Sequence, residues 1–166
     1  LNASAMDQLL TLIHRAESPH LGYDSVHGRA RIEPPSRPSQ MTIGGIFDWI
    51  EKTPDQPHAI GRYQVIPKTL ARLTQALGLK RSTRFDGRTQ DLIGRHLVAE
   101  AGYAGFINGR ISRKEFMRNL AKVWAGLPTA NGRSYYDGYA GNKATISRAS
   151  YERAIARIFS ERLAAK

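Results

Sequence analysis

Residues 6–19, "MDQLLTLIHRAESP", carry the clearest periodicity in the chain and end on an awkwardly placed charge. Met6, Leu9, Leu10, Ile13 and Ala16 recur at steps of three and four, which lays one apolar stripe along an α-helix from about residue 5 to 17. Ser4 suits the N-cap, and Asp7 falls in the first turn, where a negative charge is favoured. At the other end Pro19 pushes Ser18 out of the α region, so Glu17 belongs to the last turn. Glu17 follows Ile13 by four and Leu9 by eight, and therefore continues the edge of the buried stripe. Desolvation and the negative end of the helix dipole both raise the pKa of a carboxyl group placed there. A carboxylic acid still protonated near neutrality is what general acid catalysis requires. The alternative is an ordinary solvated glutamate at a helix end.

Working outward, the same spacing marks further helices. Thr42 opens "TIGGIFDWIEK", with Ile43, Ile46, Phe47 and Ile50 on one side. Pro67 suits the first turn of a helix through "KTLARLTQALG", stopped at Gly78, with Leu70, Leu73, Ala76 and Leu77 as its stripe. "FDGRTQDLIGRHLVAEAG" predicts a helix over roughly 88–101, its buried face marked by Leu92, Ile93, His96, Leu97 and Val98. Ser112 caps "SRKEFMRNLAKVWAGLP", with Phe116, Leu120, Val123 and Trp124 inward. "SRASYERAIARIFSERLAAK" places Tyr151, Ala154, Ile155, Ile158, Phe159 and Leu163 on one face. Trp49 and Trp124 continue such stripes and read as core. Residues 19–40 hold four prolines and two glycines and read as loop, with at most a small β-hairpin near residues 22–33. The expected fold is mainly α, a single domain over 1–166, with residues 1–5 appended or disordered.

Bulk properties narrow the function classes. The 166 residues are 41% hydrophobic, enough for a real core, and no apolar run is long enough to cross a bilayer or to mark a secretory signal. Cysteine is absent, which removes disulfides and thiolate metal sites. None of the five histidines has the spacing of a zinc hydrolase, so no metal and no cofactor are expected; His27, near Asp24, is read as orienting loop groups. Twenty-five Lys plus Arg against 14 Asp plus Glu give a net charge of +11, an attraction to polyanions in general. The basic residues are scattered, and no nucleic-acid-binding motif accompanies them, so no specific nucleic acid is expected as a partner.

A second segment gives the glutamate a context. In "AIGRYQVIPKTL", residues 59–70, Gly61, Gln64, Pro67 and Thr69 resemble the G-x-x-Q-x-x-P-x-T segment of lysozyme-like lytic transglycosylases. Together with "GYDSVHG" (22–28), "TQDLIGRHLV" (89–98), "NLAKVWAGLP" (119–128) and "YYDGYAGNKA" (135–144), the chain resembles the lambda-type phage endolysins over about residues 8–147. The resemblance implies an α-rich, α+β lysozyme-like fold. It also implies cleavage of the β-1,4 bond between N-acetylmuramic acid and N-acetylglucosamine in peptidoglycan, with Glu17 as acid/base and Tyr63 and Gln64 in the sugar cleft. The family often has glycine two residues after the glutamate, where this chain has Pro19, and the loop to "GYD" is short, which puts subsite details at issue.

Glycoside hydrolysis ordinarily uses two carboxyl groups, and Asp24 is the nearest partner in sequence. Its alternative reading is an Asx-type turn residue. Without Asp24, Glu17 acts twice: it protonates the leaving oxygen and then deprotonates the C6 hydroxyl of the same muramic acid, giving a 1,6-anhydro sugar. Transglycosylation is the resemblance's first implication. A hydrolytic muramidase assisted by Asp24 is the second reading, and a catalytically silent peptidoglycan-binding module is the rival from another class. Tyr23 and Arg62 join Tyr63 and Gln64 as candidate sugar contacts, and Tyr135, Tyr136 and Tyr139, set among glycines, suit stacking on pyranose rings. The expected partner is the glycan strand, the expected state a monomer, and the expected location the periplasm or the cell wall.

Overall fold

The computed structural model describes residues 3–160. It is mainly helical: α1 (Ala5–Glu17), α2 (Ile43–Lys52), α3 (Pro67–Ala76), α4 (Gly87–Glu100), α5 (Tyr103–Ile107), α6 (Arg113–Val123) and α7 (Arg148–Ile158). Local chemistry accounts for the starts. The Asp7 N–H donates to Ser4 Oγ at 3.1 Å, while that hydroxyl donates to the Asp7 carboxylate at 2.7 Å. Thr42, Ser112 and Ser147 accept from the N–H three residues on, at 3.0 Å each. Pro67 occupies the first turn of α3, where its missing N–H has no intrahelical partner to lose. No helix of the described residues is long and apolar enough to cross a membrane.

The chain gathers into two compact units, one of α1 with the chain from Gly94 onward and one of Ser18–Ile93; α4 contributes a half to each. In the first unit α1 packs on α7 and α5 on α6. Its core is aromatic: the Phe106 and Phe116 rings stack at 4.8 Å between centroids, and Phe159 meets Phe106 edge-on at 5.0 Å. Tyr151, fully buried, donates to the Met117 carbonyl at 2.9 Å. Trp124 is buried, but Val123 at the end of α6 is exposed. Leu163 lies outside the described residues.

In the second unit Ile43, Ile46, Trp49, Ile60, Leu70, Leu73 and Phe85 are buried. Trp49 Nε1–H donates to the Ile32 carbonyl, which anchors the proline-rich loop. The small hairpin near residues 22–33 does not form. Gly22–Asp24 is a short 3-10 helix, and Val26 pairs with Ile60 in an isolated antiparallel bridge, because the backbone groups of the segment are used by the distant 59–65 turn. Leu92 is exposed on α4 although Ile93, Leu97 and Val98 are buried.

Phe116 is inaccessible to solvent and stacked. Phe116→Ala is expected to destabilise the protein by about 3–5 kcal/mol, read from the urea midpoint at unchanged m-value. A change below about 1 kcal/mol would mean that the aromatic cluster is not the core of its unit.

Candidate functional site

Glu17 ends α1 and is half-buried, between the buried Ala16 and Ser18. Oε1 accepts the Gly126 N–H at 2.9 Å. Burial pushes the Glu17 carboxyl up to about 7 from an ordinary 4.5, and the Gly126 N–H, which favours the anion, opposes part of that shift. Burial alone therefore accounts for the direction.

Gly126 is held in turn by Thr145, whose N–H donates to the Gly126 carbonyl at 2.9 Å and whose hydroxyl donates to the Ala16 carbonyl at 2.7 Å. A Cβ on Gly126 would stand 2.7 Å from Thr145 Oγ1, 2.8 Å from the Ala16 carbonyl oxygen and 3.0 Å from Glu17 Oε1. Only glycine brings its N–H this close to the carboxyl. Both partners lie more than a hundred residues from α1, at positions that the sequence presents as a helix end and a polar loop.

The second unit assembles another cluster. Gly61–Gln64 is a tight turn closed by reciprocal Ile60–Val65 hydrogen bonds of 3.1 and 3.0 Å. Gly61 takes φ +83°, and a Cβ there would come within 2.4 Å of Gln90 Oε1. Gln90 is buried and ties three segments: Oε1 accepts the Arg62 N–H at 2.8 Å, and Nε2 donates to the carbonyls of Tyr23 and Phe85. Gln64 sits at φ +46°, a left-handed conformation that costs a non-glycine residue about 1 kcal/mol, and its Nε2 donates to the Gly61 carbonyl.

Tyr23, Arg62 and Tyr63 are brought together by Asp91, a residue in "TQDLIGRHLV" to which the sequence assigns no role. Asp91 accepts from Tyr23 Oη at 2.9 Å and from Tyr63 Oη at 2.7 Å, and Arg62 Nη1 lies 3.5 Å away. The Arg62 guanidinium also lies 5.2 Å from the Tyr23 ring centroid and 5.5 Å from that of Tyr63. Tyr63 is only 1% exposed, so it builds the turn from beneath rather than offering a ring to a ligand. Burial and the Asp91 carboxylate raise the Tyr23 phenol.

The remaining candidates are placed as follows. Asp24 Oδ1 accepts the N–H of Ser39, fifteen residues on, at 2.9 Å, a long-range tie rather than the local Asx turn that its type suggests. His27 Nδ1 accepts the Arg29 N–H, which caps a turn. Tyr135, Tyr136 and Tyr139 are exposed. Tyr136 donates its hydroxyl to the Lys122 carbonyl, and its ring meets Tyr135 edge-on at 5.0 Å. No family model matches the chain, and neither a curated protein nor a solved structure matches it at a significant level.

Two outcomes test this geometry. The folded protein holds the Glu17 proton more tightly than the unfolded chain does, so its contribution to stability is full below about 4.5 and is lost as pH rises to about 7. Glu17→Gln removes that dependence: its unfolding free energy is expected to match the parent's at pH 4 and to exceed it by roughly 1–3 kcal/mol at pH 8. Asp91→Ala leaves the Tyr23 and Tyr63 hydroxyls without their acceptor, while Arg62 Nη1 keeps its bonds to those hydroxyls, and a loss of about 2 kcal/mol is expected in urea unfolding.

Proposed function

We propose that the chain is a peptidoglycan-cleaving lytic transglycosylase that acts on the β-1,4 bond between N-acetylmuramic acid and N-acetylglucosamine, with Glu17 as its single acid and base. The observation that carries this reading is the Glu17 carboxyl itself, desolvated at a helix end and bonded through one oxygen to a backbone N–H. A group with a pKa of about 7 is present in both protonation states at neutrality, which suits one residue to both halves of a proton shuttle. The resemblance of the 61–69 segment and of the flanking motifs to lambda-type endolysins supplies the substrate.

In the first half the Glu17 proton passes to the glycosidic oxygen, the bond from C1 to that oxygen breaks, and N-acetylglucosamine leaves with a free C4 hydroxyl. The Gly126 N–H stabilises the carboxylate so formed, an interaction that strengthens as charge develops. In the second half the C6 hydroxyl oxygen of the same muramic acid bonds to C1, and its proton returns to Glu17. Acid is regenerated, and no water is consumed. Tethering the nucleophile to the sugar replaces the positioned water that a second carboxylate would otherwise activate. The engagement of Asp24 with the Ser39 N–H favours this one-carboxyl route over a muramidase in which Asp24 assists. The +11 charge fits a substrate bearing many carboxylates, met in the periplasm or the wall.

Glu17→Gln is expected to slow the clearing of outer-membrane-permeabilised bacteria at least about a hundredfold. The parent's rate is expected to fall as pH rises through about 7, where the acid form is lost. Mass spectrometry of digested sacculi should find anhydro-sugar ends; products about one water heavier would instead indicate hydrolysis. Equal clearing by parent and variant would remove Glu17 from the reaction.

A further inference from the structure

In the first unit the turn through Thr129 and Ser134 borders a cavity of about 410 Å³. Lys114 and Arg118 from α6 and Arg148 from α7 line it, Asn131 and Ser134 add polar groups, and no acidic residue takes part. Arg148 is fixed in place: Nε donates to Glu152 at 3.0 Å, Nη1 donates to the Pro128 carbonyl at 3.2 Å, and the guanidinium lies 5.6 Å from the Tyr151 ring centroid. Lys114 and Arg118 differ. Both are exposed, and neither makes a side-chain hydrogen bond or ion pair among the described residues. They stand four apart on α6 and so share a face, and Lys122, four further on, continues it with its ammonium 5.9 Å from the Tyr135 ring centroid. Like charges at this spacing repel, and an anion held among them relieves that cost. Glu115, the acidic neighbour on α6, is one position round the helix and does not line the cavity.

The position of the cavity along the chain bears on what it would hold. Thr129 lines it and lies three residues from Gly126, whose N–H holds Glu17, so the two backbone positions are at most about 11 Å apart. In peptidoglycan the group that carries several carboxylates within such a reach of the scissile bond is the peptide stem on the muramic acid. We propose that this cavity binds the stem-peptide carboxylates, through Lys114, Arg118 and Arg148, and so selects peptide-bearing over bare glycan. The proposal rests on the peptidoglycan reading of Glu17.

The test is a titration of the full chain with a synthetic L-alanyl-γ-D-glutamyl-diaminopimelate tripeptide, followed by backbone-amide NMR at low salt. Shifts are expected to centre on 114–118 and 129–135. Binding should weaken about fivefold or more in the Lys114→Gln/Arg118→Gln double variant, and sodium phosphate should displace the peptide no better than sodium chloride at equal ionic strength. Arg157→Gln, an exposed charge on α7 that does not line the cavity, serves as the control and should bind as the parent does. Absence of binding by the parent, equal weakening in the control, or preferential displacement by phosphate would each overturn the assignment. These outcomes are independent of Glu17: equal clearing by Glu17→Gln sinks the catalytic reading without altering the titration, and a failed titration sinks only the peptide site.

Discussion

The constraint from which the candidate chemistry follows is the withholding of one carboxyl group from water at the end of α1. A half-buried carboxylate in a packed surrounding loses more hydration than one N–H returns, so the Glu17 proton is retained to an unusually high pH. The partner that softens the penalty is itself constrained. Gly126 approaches because it has no Cβ, and Thr145 holds it by bonding both to it and to the Ala16 carbonyl next to the acid. Three segments distant in sequence thus meet around Gly126, and the glutamate's protonation becomes a property of the folded unit rather than of the helix that bears it.

The Gly61–Gln64 turn has its own logic. A four-residue turn with two left-handed positions does not hold itself, and here Gln90 braces it from below while Asp91 collects the hydroxyls of Tyr23 and Tyr63. Both braces come from consecutive residues on the first half of α4. The strain at Gln64 persists because the surrounding bonds over-determine it, its own amide among them through the Gly61 carbonyl.

The helices were legible because their signals are local. Ser4, Thr42 and Ser112 cap where their spacing before apolar stripes indicates, and α1 ends where Pro19 requires. The short α5 was not legible, since five residues beginning just after Gly102 offer less than two turns of periodicity. Glu17 stood out because its position on the stripe conflicts with its charge. Gly126, Thr145 and Asp91 did not, because their roles arise from long-range closure, and nothing in a Gly or an Asp marks which distant group it will meet. The motif suggests Tyr63 as a cleft residue, whereas its burial follows from packing under the turn, which no local signal marks. Val123 and Leu92 lie on predicted stripes yet stay exposed, as apolar residues at the margins of small cores often do.

A pH titration of the Glu17 side-chain carboxyl carbon by NMR measures the central claim most directly. The expected result is a midpoint near 7, with the signal absent from Glu17→Gln. A midpoint near 4.5, the value of a carboxyl group in water, would contradict it, because the group would then be an ordinary solvated anion with no proton to give at neutrality.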